Sequence, residues 1–310
     1  MVESVARSAA RKYSSISNAR GSLDLIASWG VIALVCAWLH FQPTAWAFAI
    51  AFVVISSRQA LLANLAHDAW HTLCFRPRRL NDWIGALCYA YPVGIPFHHD
   101  RARHFTHHRR VGHADDPDWV NYSHTARQSR RDLARFFAGR LFGSLLVETA
   151  LSVLKNRGRP RVALPSHVDS RGPRHEMLRV ALVQLALVVL FGWSVAWWAY
   201  GVLWLLPLAT LTAFCNSLRA FAEHAAQSGA EPAERLRDLD AGLLSRLFLC
   251  PAHFNFHALH HEYPSVPHYR LRSFRSDEAA RLPAPAAGYV AVLREYVAAL
   301  DAARSDGHGA

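Results

Sequence analysis

Formal charge vanishes from two long stretches of this chain, and the helices predicted there frame everything between them. Leu25 to Phe41 contains no Asp, Glu, Lys or Arg, and Thr44 to Ser57 repeats this after a break at Gln42 and Pro43. The second run continues in a helical pattern past Arg58 and Gln59 to His71, and an arginine near a helix end can extend its charged head to a membrane interface. Val180 to Leu218 is uncharged for 39 residues, which as one helix would be about 58 Å long against a hydrocarbon core of about 30 Å. Two spans joined tightly between Gly192 and Gly201 fit better, with Pro207 kinking the second. The predicted spans are therefore 25–41, 44–66, 179–196 and 200–218. A buried hairpin in a soluble protein is disfavoured by run length and by the aromatic turn Trp193, Trp197, Trp198, a pattern typical of membrane interfaces.

Shorter apolar runs read differently. Trp83 to Phe97 carries Gly85, Pro92, Gly94 and Pro96, which break a spanning helix, so it is assigned to the interface. Leu141 to Leu154 is short for a span and includes Glu148; it reads as an amphipathic surface helix. Residues 155–175, with Gly158, Pro160, Pro165, Gly172 and Pro173, read as a loop back to the membrane. The end, from about Glu278 to Arg304, reads as an amphipathic helix after Pro283 and Pro285, followed by a tail. Domain organisation follows: 1–22 an N-terminal segment, 23–275 the membrane domain, 276–310 the C-terminal helix and tail.

The net charge of +11 matters through its placement. Arg7, Arg11, Lys12 and Arg20 precede the first span, arginines crowd 76–175, and Arg235, Arg237, Arg246, Arg270, Arg272 and Arg275 follow the last, while both short turns lack Lys and Arg. The positive-inside rule then places both termini and the central segment in the cytoplasm, with a bacterial inner membrane as the expected location. No nucleic-acid recognition motif accompanies these arginines, so nucleic acid is not an expected partner. The first apolar region is longer than a signal-peptide core although Ala45-Trp46-Ala47 imitates a cleavage site; a retained span is expected. Five scattered cysteines without a C-x-x-C pair offer neither a disulfide framework nor a thiolate metal site.

Nine of the 19 histidines fall into patterned segments: His67 and His71 in HDAWH, His104, His107 and His108 in HFTHH, His224 in AEH, and His257, His260 and His261 in HALHH. Side chains three and four residues apart share a helical face, so each segment aims two or three imidazoles one way. The predicted topology brings all four segments to one cytoplasmic surface. The other ten, among them His40, His98, His99, His113, His253 and His268, are assigned to supporting or surface positions. Imidazole alone leaves iron, zinc, copper and nickel open, but nine ligands exceed what one ion takes, so two metals with open positions are expected. A membrane location suggests a substrate with an apolar tail. Its unactivated C–H bonds yield to activated oxygen, which needs a redox metal, a requirement that two irons meet.

The segments HDAWHTLCFRPRRLNDWIG, RHFTHHRRVGHADDPDW and NFHALHHEYPSVPHYRL, with Glu223-His224 in LRAFAEHAA, resemble the three histidine boxes and additional histidine of the membrane fatty acid desaturase and hydroxylase superfamily over about residues 20–275. That resemblance implies an all-α integral membrane protein with four transmembrane helices as two hairpins and a cytoplasmic helical cap holding a di-metal site. It implies a non-haem di-iron centre with two Fe ions, O2 as co-substrate, and a long-chain acyl lipid as substrate. It also implies that the nine histidines are the ligands. Asp68, Asp116, Asp118, Glu223 and Asn255 are candidates for supporting them, a carboxylate accepting the free ring N–H of a ligand. Arg101, Arg103, Arg109 and Arg110 read as a solvated or lipid-facing surface, with contact to an acidic headgroup or electron donor as the alternative.

The leading expectation is an acyl-lipid desaturase; a hydroxylase or ketolase acting on a lipid, alkane or carotenoid shares the same boxes. A membrane metal transporter would place ionisable residues along the spans, which Val180 to Leu218 lacks, and a metalloprotease would need Glu after the first histidine, where HDAWH has Asp. With no flavin, nucleotide, haem or cysteine-ligated iron motif in the chain, electrons are expected from a ferredoxin, rubredoxin or cytochrome with its reductase.

Overall fold

The computed structural model describes residues 10–113, 115–118, 129–155, 172–224 and 236–306. Among them there are helices and two isolated bridges, Asp238 with Phe256 and Leu239 with Ala286, but no strand. Helices α1 (Asn18–Phe41), α2 (Ala45–Trp70), α7 (Gly172–Ser194) and α8 (Gly201–His224) are long and apolar enough to cross a membrane. Between α2 and α7 lie α3 (Arg78–Ile84), α4 (Phe97–Arg110), α5 (Arg130–Leu141) and α6 (Ser144–Lys155). After α8 come α9 (Leu243–Phe248), α10 (His257–Glu262), α11 (His268–Asp277) and α12 (Tyr289–Asp306).

The apolar helices are hydrophobic around their whole circumference, as expected of lipid-exposed elements. Ile26 and Leu34 on α1, and Leu178, Leu182, Leu185 and Val189 on α7, all stand exposed on the outside. Inward, Ile32, Leu39, Ala47, Ile55, Leu62, Phe191 and Trp204 form one core. Small residues allow close contact at one join in particular. A Cβ on Gly21 of α1 would lie 2.3 Å from the Cys74 carbonyl oxygen, so α1 packs directly on the turn that follows α2.

The kink expected at Pro207 takes the form of two wide π turns, Gly201–Leu205 and Leu208–Thr212, on either side of it. Proline has no N–H to donate, and α2 sets polar side chains against the turns beside it. Gln59 Nε2 donates to the Trp204 carbonyl at 2.7 Å, Thr212 Oγ1 donates to Gln59 Oε1 at 2.9 Å, and Ser56 Oγ lies 2.9 Å from Thr212 Oγ1. All three side chains are buried, so the Trp204 carbonyl beside the defect is bonded within the protein.

The Trp83–Phe97 run corrects the interface assignment. After α3 the chain makes a π turn (Gly85–Ala90) and a 3₁₀ turn (Tyr91–Val93), and reverses at Gly94 with φ 77°. Ala86, Tyr89, Ala90, Tyr91 and Val93 belong to the same core as α1, α2, α7 and α8. The run is inserted among the apolar helices because their side chains bond its irregular backbone. Trp29 Nε1 donates to the Cys88 carbonyl at 3.0 Å, Trp204 Nε1 to Pro92 at 2.8 Å, and Gln184 Nε2 to Tyr91 and Pro92 at 2.6 and 2.9 Å. It does not carry the chain to the far side, since the histidines before and after it meet.

Helix α6 coincides with the amphipathic helix expected at Leu141–Leu154, and Leu145, Leu146, Val147 and Leu151 are exposed along it. The loop expected over 155–175 falls largely on 156–171, outside the described residues. At the C-terminal end the helix runs over Tyr289–Asp306, after Pro283 and Pro285 as expected. Its Tyr289 and Val292 join a second core with Leu133, Phe137, Phe221, Leu239 and Phe254. A third unites Tyr13, Leu259, Tyr263, Val266, Leu271 and Phe274.

Candidate metal centre

Four helix ends deliver the nine patterned histidines. His67 lies in the last turn of α2 and His71 caps it, α4 carries His104, His107 and His108 one turn apart, α8 ends at His224, and α10 presents His257, His260 and His261. Their side chains sort into two groups able to hold a metal ion, one of His67, His71, His104, His108 and His260 and one of His107, His224, His257 and His261. In each group one ligand atom per residue lies within 4.8 Å of all the others. The groups abut, the His108 and His261 rings stacking at 4.0 Å between centroids.

In the first group, His104 Nε2 is 2.8 Å from both His71 Nε2 and His108 Nε2. In the second, His257 Nε2 is 2.9 Å from His224 Nε2 and 3.1 Å from His261 Nε2. A neutral imidazole donates one N–H and accepts at one nitrogen, so three converging ring nitrogens cannot all be satisfied by one another. His67 Nε2 and His260 Nε2 are buried without any hydrogen-bond partner. Burial also disfavours the charged form of six of the rings. It holds His104, His257, His260 and His261 well below histidine's usual range, His71 at about 3 and His108 at about 2, with neighbouring histidines adding to the effect. A largely buried, nitrogen-only donor set with unmet lone pairs fits transition-metal cations.

The expected supporting carboxylates divide. Asp116, buried, places its oxygens 2.8 and 3.0 Å from His107 Nδ1 while accepting the Gly112 and Asp118 N–H groups at 3.2 and 2.8 Å. It both caps the turn and holds a histidine. Asp118 pairs with Arg103, its other oxygen standing 4.0 Å from His107 Nδ1. Asp68 Oδ1 is 3.9 Å from His67 Nδ1, and Glu223 Oε2 is 3.7 Å from His257 Nδ1, both beyond hydrogen-bond length. Asn255 Nδ2 donates to the Leu239 carbonyl at 2.9 Å, which steadies the chain before α10, while its Oδ1 is buried without a hydrogen-bond partner.

Several residues around the histidines carry no sequence pattern. Arg101, read as surface, is buried; it forks onto Asp82 at 2.6 and 3.1 Å and donates to the Ala69 carbonyl at 2.8 Å. Asn81 donates to the same carbonyl at 2.8 Å and accepts from the Cys74 and Phe75 N–H groups at 3.2 and 3.4 Å. Together they close the end of α2 and tie it to α4. Glu176 of α7 accepts the His98 and His99 N–H groups at 2.7 and 3.1 Å, a carboxylate at the positive start of α4. Asp238 accepts the Leu259 N–H at 3.0 Å and pairs with Arg275 at 3.3 Å. His268 is buried beside Asp68 at 2.7 Å and Asp24 at 3.3 Å; burial opposes its charge, but the two carboxylates outweigh it and raise the ring to about 9.

Four apolar spanning-length helices, two of them ending at paired polyhistidine groups that could hold metal, define a membrane protein with a candidate metal centre. The family model for fatty acid desaturases matches residues 43–292, a stretch that contains all nine histidines, and the chain belongs to the fatty acid desaturase family. It is thus an integral membrane oxidoreductase of lipid metabolism. A curated relative, the "sn-1 acyl-lipid omega-3 desaturase (ferredoxin)" of Synechocystis sp. (strain ATCC 27184 / PCC 6803 / Kazusa), is 27% identical over 277 residues, covering 84% of this chain and 72% of that protein.

Proposed function

We propose that this chain is a fatty acyl-lipid desaturase whose nine patterned histidines hold two iron ions and which uses O2 and external electrons to place a C=C bond in a long aliphatic chain. The observation that carries this reading is the convergence of those histidines, from four helices, into abutting groups of five and four. A bound iron pair would supply the dioxygen chemistry needed at an unactivated methylene.

The protein's own residues prepare that chemistry. His67, His71, His104, His108 and His260 would hold one ion, and His107, His224, His257 and His261 the other. Asp116, by accepting the His107 Nδ1 proton, leaves Nε2 with its lone pair toward the group. Burial of His104, His107, His257 and His260 excludes bulk water from the reacting region. Because the groups sit at the ends of α2 and α8, a lipid tail lying alongside those helices approaches them from the bilayer. In this reading both hairpins project into a cytoplasmic cap, and both termini are cytoplasmic, in keeping with the placement of the arginines.

Electrons would come from a ferredoxin, rubredoxin or cytochrome-class donor, the relative's name specifying ferredoxin for that protein. Exposed Arg76, Arg78, Arg79, Arg109 and Arg110 give an acidic donor a complementary face.

Lipid profiling by mass spectrometry, after expression with iron and a competent donor, tests the activity. Products lighter by two hydrogens are expected. Products heavier by one oxygen would instead establish a hydroxylase, and unchanged lipids under competent electron supply would refute both.

A further inference from the structure

The fit of His107 to Asp116 has a counterpart in the five-histidine group, built over a much longer sequence distance. Asp68 is 2% exposed, and one of its oxygens, Oδ2, is taken by two donors from a single residue. The His268 backbone N–H donates to it at 3.0 Å, and His268 Nδ1 lies 2.7 Å away. The far nitrogen of the same ring, Nε2, is 3.3 Å from Asp24 Oδ2 on α1. His268 itself is 4% exposed and opens α11. With Oδ2 fixed in this way, the carboxylate cannot turn about its side-chain torsions, and Oδ1 is left facing His67 Nδ1 at 3.9 Å. That nitrogen is buried and has no hydrogen-bond partner.

For His67 to offer Nε2 to a metal, its proton must reside on Nδ1, and a carboxylate facing Nδ1 favours that tautomer. We infer that His268 is a positioning residue which, anchored by Asp24 and acting through Asp68, fixes the tautomer and orientation of His67 and thereby sets how tightly the five-histidine group holds its ion. The inference rests on the two-ion reading above. It assigns the two groups separate supports. Asp116 serves the four-histidine group directly, and the Asp24–His268–Asp68 series serves the other, so a change at His268 affects one ion and spares its neighbour.

A purified, metal-free full-length chain titrated with cobalt(II), followed by its visible absorption, reads both sites without turnover. Wild type is expected to take up two equivalents. His268→Ala should weaken one binding constant about 10–100-fold, the range for loss of an outer partner of a metal ligand, and leave the other unchanged. Asp68→Asn should weaken the same constant, and the double variant should be no weaker than Asp68→Asn alone, since His268 acts through that carboxylate. Two unchanged constants in His268→Ala overturn the inference, as do two constants weakened alike, which is the signature of a purely structural clamp. If His268→Ala does not accumulate, Asp24→Asn carries the same expectation from the far side of the ring, and unchanged constants there overturn it. A wild-type chain taking up fewer than two equivalents refutes the two-ion reading, and the inference falls with it, whereas His67→Ala losing one site while His268→Ala loses none refutes the inference alone.

Discussion

Neutral imidazole binds metal and imidazolium does not, so the protonation of the buried rings sets the pH range in which this protein can work. In the metal-free protein His104, His257, His260 and His261 are held well below 6.5, with His71 at about 3 and His108 at about 2. Below pH 6.5 the unfolded chain takes up protons that the folded one refuses, so stability is intact above 6.5 and declines as the pH falls toward 3. His268, raised to about 9, works in the opposite sense. Its contribution is complete below 6.5 and is lost as the pH rises through 9. Thermal unfolding of metal-free protein should therefore trace two falling limbs that meet near pH 6.5; a flat acid limb would contradict the burial argument. Asp116→Asn should loosen the ion of the four-histidine group about 10–100-fold, measured by chelator competition, and His107→Ala or His260→Ala should abolish turnover while membrane insertion persists. The nine patterned histidines were legible because helical periodicity puts them on common faces. His268 was not, because what gives it a role is Asp68, 200 residues earlier, and no spacing rule reaches that far.

Helix ends and helix joins hold those residues in place, and two of them can be tested singly. A Cβ on Gly85 would meet Ala69 Cβ at 2.6 Å and the Phe97 ring at 2.7 Å. Gly85→Val should thus force α2 and the inserted run apart, costing about 1–3 kcal/mol, seen as a lower unfolding temperature in detergent. Asn81→Ala removes the bonds that close α2 behind His71 and leaves buried backbone groups unpaired, at a cost of about 1–3 kcal/mol, with looser metal retention as its second effect. At this scale the sequence spoke unevenly. Uncharged runs located α1, α2, α7 and α8, and Pro207 marked the defect in α8. Composition could not show that Gln59 bonds the Trp204 carbonyl beside that defect, nor that Trp83–Phe97 is inserted among the helices, since a glycine- and proline-broken apolar run looks the same in either place until its bonding partners are known.

Across the whole molecule, the proposed function has charge and apolar surface divide the labour between donor and substrate. The chain carries a net +11, with exposed arginines on the segments that flank the histidines. Reduction by an acidic donor should slow as ionic strength rises, because screening shortens to about 10 Å at 0.1 M; stopped-flow reduction rates insensitive to salt would count against this face as the docking site. The order of boxes along the chain was legible and pointed to the family, while the sorting of ligands into five and four was not, because α4 and α10 each serve both groups and only their three-dimensional crossing decides which ring goes where. That sharing also governs biosynthesis. α10 gives His260 to one group and His257 and His261 to the other, so the sets cannot be complete until residues 260 and 261 have left the ribosome, with all four apolar helices already made. Metal insertion is then necessarily a late event in maturation, and a nascent chain arrested before α10 presents only partial sets of imidazoles to the cell's free metals.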